Sequence, residues 1–387
     1  MRLSQRALLV EPFHAMAFGQ QAAELTAMGH DVVTLSLGEP DFGAPPAVRE
    51  AMREVMDGRA LGYTAALGLP QLRSAIAQFY RERHDVSVDP ARIVVTSGAS
   101  AALLLTLAAT TQAGDDVLMA DPSYPCNRQL VQTFGGRVVP VPTTVASRFQ
   151  MSAAAVEQAW TEHTTAVMMA SPSNPTGTSI PFPELSAICR MAQAAGAWRI
   201  ADEIYLDLSD PAPDGSAART VLHADPEAIV INSFSKYFGM TGWRLGWAVV
   251  PEGLVEAVER LAMNYFLCAS TPAQYAALAA LTRESLAVCE QRRTELVARR
   301  QIVLTGLAEL GLPVPVIPDG AFCVYFDITS TGMTSWQFCE QALQRAQVAL
   351  TPGNDFGIAT ADTHVRLSYA ATREALREGL ARLAVLL

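Results

Sequence analysis

Lysine is nearly absent from this chain of 387 residues. The sequence has 28 lysine and arginine residues together, and Lys236 is its only lysine. Arginine replaces lysine wherever a positive charge suffices, but its guanidinium stays protonated and cannot act as a primary amine. A composition bias toward arginine explains why lysine is scarce, but it does not explain the position of the one that remains.

Paired metal ligands and long apolar runs are also missing. None of the six cysteines forms a Cys-x-x-Cys pair or stands at zinc-ligand spacing from a histidine, so we expect free thiols in a reducing compartment and no metal site. The apolar stretch after Arg6 ends at Val10, which is too short for a signal peptide, and the longest one, around Ala101 to Ala109, is far below a membrane span. We therefore predict a cytoplasmic protein that does not bind membranes.

Positive charge is in deficit as well. The formal net charge is -10, which argues against nucleic acid or an anionic membrane as the main partner. A small anionic ligand stays compatible with this charge, because a local site can be basic in an acidic protein. A nicotinamide oxidoreductase is poorly supported, since no Gly-x-Gly-x-x-Gly follows a strand.

What the sequence does contain is a series of short apolar runs that end in polar or glycine-containing segments. Continuous runs of this length are typical of strands buried on both faces, and alanine- and leucine-rich stretches of helical length lie between them. This alternation predicts an α/β fold with a mostly parallel sheet between helices, whose ligand lies beyond the carboxyl ends of the strands. The runs are Ile93 to Thr96, Asp116 to Ala120, Ala166 to Ala170, Trp198 to Ala201 and Ala228 to Asn232.

The pattern changes after about residue 282. Charged residues recur at helical spacing through Arg300, prolines follow, Ala321 to Asp327 has the pattern of a strand, and Glu374 to Leu386 that of a final helix. We predict a large domain over residues 45–285 and a smaller α/β domain built from residues 1–44 and 286–387.

Lys236 follows one of the apolar runs directly. Ser233 and Ser235 precede it and Arg244 follows a few residues later. An amine must be partly desolvated to act as a nucleophile near neutral pH, and hydroxyls with an arginine are suited to hold a phosphate nearby. The segment therefore predicts a lysine that forms a Schiff base, with an ordinary surface lysine in a loop as the alternative.

Asp202 ends another apolar run, where we expect its carboxylate to be enclosed. A buried carboxylate needs a cationic or donor partner, and a pyridinium N–H is one such partner. Tyr205 and Asn174 are placed to reach the phenolic oxygen of such a ring. A helix cap is the alternative role for Asp202.

Three further segments complete the candidate site. Ser97 to Ser100 precedes a long apolar helix, whose first N–H groups attract an anion. Tyr124, between two prolines, is suited to stack on a flat ring, or simply to pack in its loop. Arg366 lies in an alternating strand pattern, where its guanidinium either binds a substrate carboxylate or forms a structural ion pair.

Together these segments resemble the fold-type I pyridoxal-phosphate enzymes, in the class I/II aminotransferase family. The resemblance covers the chain from about Leu35 to Tyr369, and the combination of motifs in this order is much more specific than any one of them. The motifs are Gly38-Glu-Pro-Asp-Phe42, Ser97-Gly-Ala-Ser100, Ser173-Asn-Pro-Thr-Gly177, Asp202-Glu-Ile-Tyr205, and Ser233-Phe-Ser-Lys236 with Arg244.

The resemblance implies a catalytic role for Lys236, which would carry pyridoxal 5'-phosphate as a Schiff base and then move a proton between substrate and cofactor. Asp202 would pair with the ring nitrogen. Arg366 would bind the substrate α-carboxylate, with Asn174 and the Gly38 backbone nearby. The remaining cofactor contacts implied are Ala99, Ser100, Ser233, Ser235 and Arg244 at the phosphate, Tyr124 stacked on the ring, and Asn174 and Tyr205 at the ring oxygen.

The family also builds its active site from two subunits, so the resemblance implies a homodimer in which Tyr63 reaches the phosphate of the neighbouring subunit. With no second lysine, the chain cannot copy the relatives that bind acidic side chains with one. The segment Phe13 to Met16 falls where relatives line the side-chain pocket, and we expect Phe13 and Met16 to favour an apolar or aromatic amino acid.

The main hypothesis is transamination between an L-amino acid and a 2-oxo acid by a ping-pong mechanism. A carbon–sulfur β-lyase of the same fold is the alternative, because the motifs serve the step that both reactions share. A cofactor-binding sensor without turnover is a remote third hypothesis. The Gly38 to Phe42 motif begins too early for a DNA-binding module to precede it, and the chain is acidic.

Overall fold

The strands of the chain form three sheets in a computed structural model that describes residues 2–12, 14–212 and 215–387. We number the strands in chain order. They are β1 (Val33–Thr34), β2 (Ile93–Thr96), β3 (Asp116–Asp121), β4 (Arg137–Pro142), β5 (Thr164–Ala170), β6 (Trp198–Asp202), β7 (Ile229–Ser233), β8 (Gly246–Val249), β9 (Cys323–Asp327), β10 (Val348–Ala349), β11 (Thr351–Pro352) and β12 (His364–Ser368).

The largest sheet has seven strands in the order β2-β8-β7-β6-β5-β3-β4. Strand β8 runs antiparallel to both neighbours, β2 and β7, and the remaining neighbours pair in parallel. The carboxyl ends of β5, β6 and β7 therefore meet at one edge, where the polar segments that follow them come together. The predicted α/β fold with a mostly parallel sheet is confirmed.

Alternate residues of these strands face two different apolar clusters. In β7, Ile229 and Ile231 belong to one cluster while Val230 belongs to the other, and Val94 and Val95 of β2 divide in the same way. Successive strand residues point to opposite faces. A strand covered by helices on both sides therefore has no polar face, which is why the sequence shows continuous apolar runs instead of alternation.

The helices cover the sheets and connect the strands. None of those in the described parts of the chain is long and apolar enough to cross a membrane. They are α1 (Gln5–Leu9), α2 (His14–Ala27), α3 (Pro46–Val55), α4 (Pro70–His84), α5 (Ala99–Thr110), α6 (Pro125–Thr133), α7 (Ala153–Ala159), α8 (Phe182–Ala194), α9 (Glu252–Tyr265), α10 (Thr271–Ala277), α11 (Arg283–Glu309), α12 (Ser335–Arg345) and α13 (Arg373–Leu383).

The two ends of the chain pack together. Strand β1 pairs in parallel with β10, and the antiparallel sheet β11-β12-β9 lies entirely after residue 320. The N–H of Ser368 also donates to the carbonyl of Leu35. The division at residues 44/45 and 285/286 stays a prediction, and its second boundary falls in the first turn of α11.

Candidate active site

A cavity of about 290 Å³ opens at the carboxyl edge of the large sheet. Most of the residues singled out from the sequence line it, although they come from distant parts of the chain. They are Gly38, Ala99, Ser100, Tyr124, Asn174, Asp202, Tyr205, Ser233, Ser235, Lys236, Arg244 and Arg366.

One predicted residue that the structure describes, Tyr63, is not among the residues that line the cavity of its own chain. Tyr63 lies in the loop after α3, with 83% of its surface exposed. Phe13 lies outside the described residues. Its neighbours Ala15 and Met16, in the first turn of α2, do line the cavity.

Lys236 enters the cavity just after β7 ends. Its Nζ donates a hydrogen bond of 2.7 Å to the carbonyl of Gly38 and lies 6.0 Å from the ring centres of Tyr205 and Phe322. Burial among these groups lowers the pKa of Lys236 to about 8, and the positive charge of Arg366 acts in the same direction. The amine is therefore easier to deprotonate than an exposed lysine.

Asp202 ends β6 with its carboxylate enclosed. Oδ1 accepts the N–H of Ile204 at 3.3 Å, and Oδ2 faces Nδ2 of Asn127 at 3.4 Å. Burial raises the pKa of Asp202, because few groups near it stabilise the charge. The contact with Ile204 closes a local turn and is not the helix cap given as the alternative role, because the next helical turn begins at Leu206 with Tyr205 as its N-cap. This contact occupies only part of a carboxylate that also lines the cavity. Its remaining capacity suits a cationic donor within the cavity.

The start of α5 and Arg244 form a cradle for an anion. The first turn of a helix leaves N–H groups without intrahelical acceptors, and its dipole favours negative charge there. A Cβ on Gly98, the N-cap residue, would lie 2.6 Å from Nη2 of Arg244, so glycine is needed for the guanidinium to lie beside the helix start. The N–H of Ser235 donates to Oγ of Ser233 at 3.0 Å, which fixes the Ser233 hydroxyl, and both serines line the cavity.

Arg366 projects from β12 and is only 2% exposed. Nη1 donates to Oδ1 of Asn174 at 2.9 Å, and Nη2 donates to Oγ1 of Thr351 at 3.0 Å and to the carbonyl of Ser36. Its guanidinium lies over the ring of Phe356 at 5.1 Å. Within the described residues, Arg366 forms no ion pair with a carboxylate and Nε has no hydrogen-bond partner, which disfavours the structural ion pair and leaves the positive charge available to a ligand.

Asn127 and Phe322 are among the residues of the cavity region that the sequence motifs do not name. Asn127 lies three residues after Tyr124, which is the N-cap of α6, and this spacing places both on one face of the helix. That spacing is a signal in the sequence. Phe322, packed edge-on against Tyr205 with ring centres 5.4 Å apart, comes from the far end of the chain, and no local pattern indicates it.

The residues of the cavity fit pyridoxal phosphate by the chemistry of their donors. The anion cradle, the enclosed carboxylate of Asp202 and the amine of Lys236 correspond to its phosphate, its ring nitrogen and its aldehyde.

Comparisons with known proteins agree with this chemistry. The family model for aminotransferase class I and II matches residues 30–383. The chain is 40% identical over 375 residues to the valine–pyruvate aminotransferase of Mycobacterium tuberculosis, covering 97% of this chain and 96% of that protein. A crystal structure of an aminotransferase from Mycobacterium tuberculosis superposes with a TM-score of 0.95 and 38% identity, over 100% of this chain and 98% of that one.

The aspartate aminotransferase of Thermus thermophilus, solved with maleate, superposes with a TM-score of 0.94 and 36% identity over 100% of both chains. The chain belongs to the class I and II aminotransferases, which are fold-type I pyridoxal-phosphate enzymes, and is itself an aminotransferase.

Proposed function

We propose that this aminotransferase binds pyridoxal 5'-phosphate at Lys236 and exchanges the amino group of an L-amino acid with an apolar or aromatic side chain for the oxygen of a 2-oxo acid. The two half-reactions follow a ping-pong order, in which the first product leaves before the second substrate binds. One observation carries the proposal: the only lysine of the chain lies in one cavity with the buried carboxylate of Asp202 and the buried cation of Arg366.

Pyridoxal phosphate, when bound, supplies a conjugated ring that takes up the electrons released when the Cα–H bond of an amino acid breaks. Asp202 would pair with the ring nitrogen and keep it protonated. Asn174 and Tyr205 would donate to the ring oxygen, and Tyr124 would stack on the ring. Ala99, Ser100, Ser233, Ser235 and Arg244 would hold the phosphate.

Lys236 moves the proton in this scheme. Its lowered pKa of about 8 keeps a useful fraction of the amine neutral near neutral pH, so that the amine can accept a proton from the substrate α-carbon. The carbonyl of Gly38 accepts a hydrogen bond of 2.7 Å from Nζ and orients the free amine. The chain has no second lysine that could take over this role.

Arg366 binds the substrate carboxylate, and the walls around it select the side chain. Ala15, Met16, Leu37 and Ile204 supply apolar surface. Among the described lining residues, the only cations are Lys236, Arg244 and Arg366, which already have roles, and Glu39 adds a negative charge. A second carboxylate on the substrate thus finds no free cation. The name of the valine–pyruvate relative also supports an apolar substrate.

A homodimer completes the proposal. Exposed apolar side chains lie in the loop after α3, at the end of α9 and on α10. Helices α3 and α10 pack against each other, and Thr271 of α10 donates from Oγ1 to the carbonyl of Gly62, beside Tyr63, at 2.8 Å. We infer that a second copy covers this surface and that its Tyr63 reaches the phosphate. The exposed residues are Met56, Tyr63, Tyr265, Phe266, Leu267 and Tyr275. We place this dimer, with its larger and smaller domains, in the cytoplasm.

Absorbance of the purified protein tests the proposal. We expect a visible band that leucine, valine or phenylalanine depletes and that a 2-oxo acid restores, with aspartate less effective than all three. Pyruvate and ammonia released from cystathionine, while the band persists, would favour the β-lyase instead. The Lys236→Ala variant is the matched control and should show neither response.

A further inference from the structure

The first turn of α2 forms part of the cavity wall. Ala15 and Met16 line the cavity, with Ala15 buried and Met16 63% exposed at the mouth. Because α2 begins at His14, the position of its first turn decides where these two side chains lie. Whatever holds the start of α2 therefore also sets the shape of the space around a substrate side chain.

Asp355 holds the start of α2. Its Oδ1 accepts the N–H of His14 at 2.8 Å and its Oδ2 accepts the N–H of Ala15 at 2.7 Å. The carboxylate is 3% exposed, so these charge-assisted bonds are made away from water. A capping residue normally precedes its helix directly, but this one lies 340 residues after Ala15 in the chain. The negative charge also suits the positive end of the helix dipole.

Asp355 is itself bound to the other side of the cavity. Arg128 of α6 donates from Nη2 to the carbonyl of Asp355 at 2.8 Å and from Nη1 to the carbonyl of Phe356 at 2.7 Å. The N–H of Ser123 donates to the same Phe356 carbonyl at 2.7 Å. Tyr124, between Ser123 and the helix, lines the cavity. The turn that carries Asp355 is thus fixed to the wall that contains Tyr124.

The next residue of this turn contacts Arg366. The guanidinium of Arg366 lies 5.1 Å above the ring of Phe356. A continuous series of contacts therefore runs from the wall of α2, through Asp355 and Phe356, to the group that binds the substrate carboxylate. His14 and Phe18 of α2 pack edge-on against Trp336 of α12, and this contact also helps to hold α2 in position.

We propose that Asp355 is a positioning residue for substrate selection, which fixes the first turn of α2 at a set distance from Arg366. This inference rests on the proposed function, in which Arg366 binds the carboxylate of the substrate. Amino acids whose side chains reach Ala15 and Met16 depend on Asp355. Alanine, whose methyl group is too short to reach that wall, does not depend on it.

The test compares leucine with alanine as amino donors in the holoenzyme. In Asp355→Asn we expect the KM for leucine to rise about tenfold while kcat changes less than about twofold, since a charge-assisted cap is lost but the reacting groups are untouched. The KM for alanine should stay within about twofold. Asp327→Asn is the matched control, because Asp327 also accepts a backbone N–H, that of Thr329 at 2.7 Å, in a turn that does not line the cavity.

Equal losses for leucine and alanine, or an unchanged KM for leucine, would overturn the proposal. Amide hydrogen exchange at single-residue resolution supplies a second measurement on the wild-type protein, in case the variant does not fold. We expect slow exchange at His14 and Ala15; exchange as fast as in an unstructured peptide would overturn the proposal without any variant. A wild-type holoenzyme that transaminates neither amino acid would contradict the proposed function instead, and the exchange result would still stand.

Discussion

The guanidinium of Arg244 lies directly against the α-carbon of Gly98. A Cβ at that position would lie 2.6 Å from Nη2, and Gly98 also has a φ of +82°, which side chains rarely adopt. Arg244 has a φ of +50°, itself uncommon for a residue with a side chain. Both residues thus have a positive φ where a cation lies beside the start of α5.

Gly98→Ala should therefore weaken cofactor binding. The methyl group displaces Arg244 from the anion cradle, and we expect the affinity for pyridoxal phosphate to fall about tenfold or more. Equilibrium dialysis against the cofactor measures this. Gly253→Ala is the control, because nothing lies within 4 Å of a Cβ at Gly253. An equal affinity in both variants would show that the cradle does not hold the phosphate.

Asp202 and Asn127 should give graded losses of turnover. Asp202→Asn removes the buried charge that we pair with the ring nitrogen, and we expect kcat to fall about 1000-fold. Asn127→Ala removes only the contact of 3.4 Å that orients this carboxylate, and we expect a fall of about fivefold. Steady-state rates with one good amino donor measure both. A larger loss in Asn127→Ala than in Asp202→Asn would contradict the assignment.

Arg366→Lys should act on substrate binding and spare the cofactor. A lysine keeps the charge but loses the planar fork, its hydrogen bond to Asn174 and its contact with Phe356. We expect kcat/KM for amino acids to fall about 100-fold with cofactor affinity unchanged. The exposed Arg260, changed to lysine, is the control. If cofactor affinity falls in parallel with kcat/KM, Arg366 has a role in cofactor binding that the proposal does not include.

Lys236 should make the stability of the cofactor-free protein depend on pH. Its pKa falls from 10.5 to about 8 on folding, so between these values the unfolded chain binds more protons and the folded chain gains stability as pH rises. The cost of burying the charge is fully present below about pH 8. We expect the free energy of unfolding of Lys236→Met to exceed that of the wild type by a margin that shrinks by roughly 2 to 3 kcal/mol from about pH 7 to about pH 10.

Urea unfolding of the two cofactor-free proteins at several pH values measures this margin. A margin that does not vary with pH would mean that the amine is not desolvated in the cavity.

The sequence predicted the sheet and the chemistry that follows its strands because the causes are local. A strand buried on both faces needs a continuous apolar run, and parallel strands bring their carboxyl ends to one edge. The positions of Lys236 and Asp202, each directly after such a run, are therefore enough to predict that the two side chains lie near each other. Their catalytic roles stay a prediction that the variants above test.

Contacts between distant segments could not be predicted in this way. Strand β8 runs antiparallel to its neighbours, and no pattern in the sequence after Lys236 indicates this direction. Helix α11 continues to Glu309, although the helical spacing of its charged residues ends near Arg300. Asp355 and Ala15 meet only because both chain ends pack together. The role of Tyr63 depends on a second subunit, so the sequence of one chain cannot locate its contact.

The attachment of the cofactor to Lys236 is the central claim, and a single lysine makes it directly testable. Borohydride reduction of the holoenzyme, followed by peptide mass analysis, should place the pyridoxyl label on Lys236 alone, and Lys236→Arg should have neither label nor turnover. A label at the amino terminus, the one other primary amine of the chain, or turnover that survives in Lys236→Arg, would contradict the account.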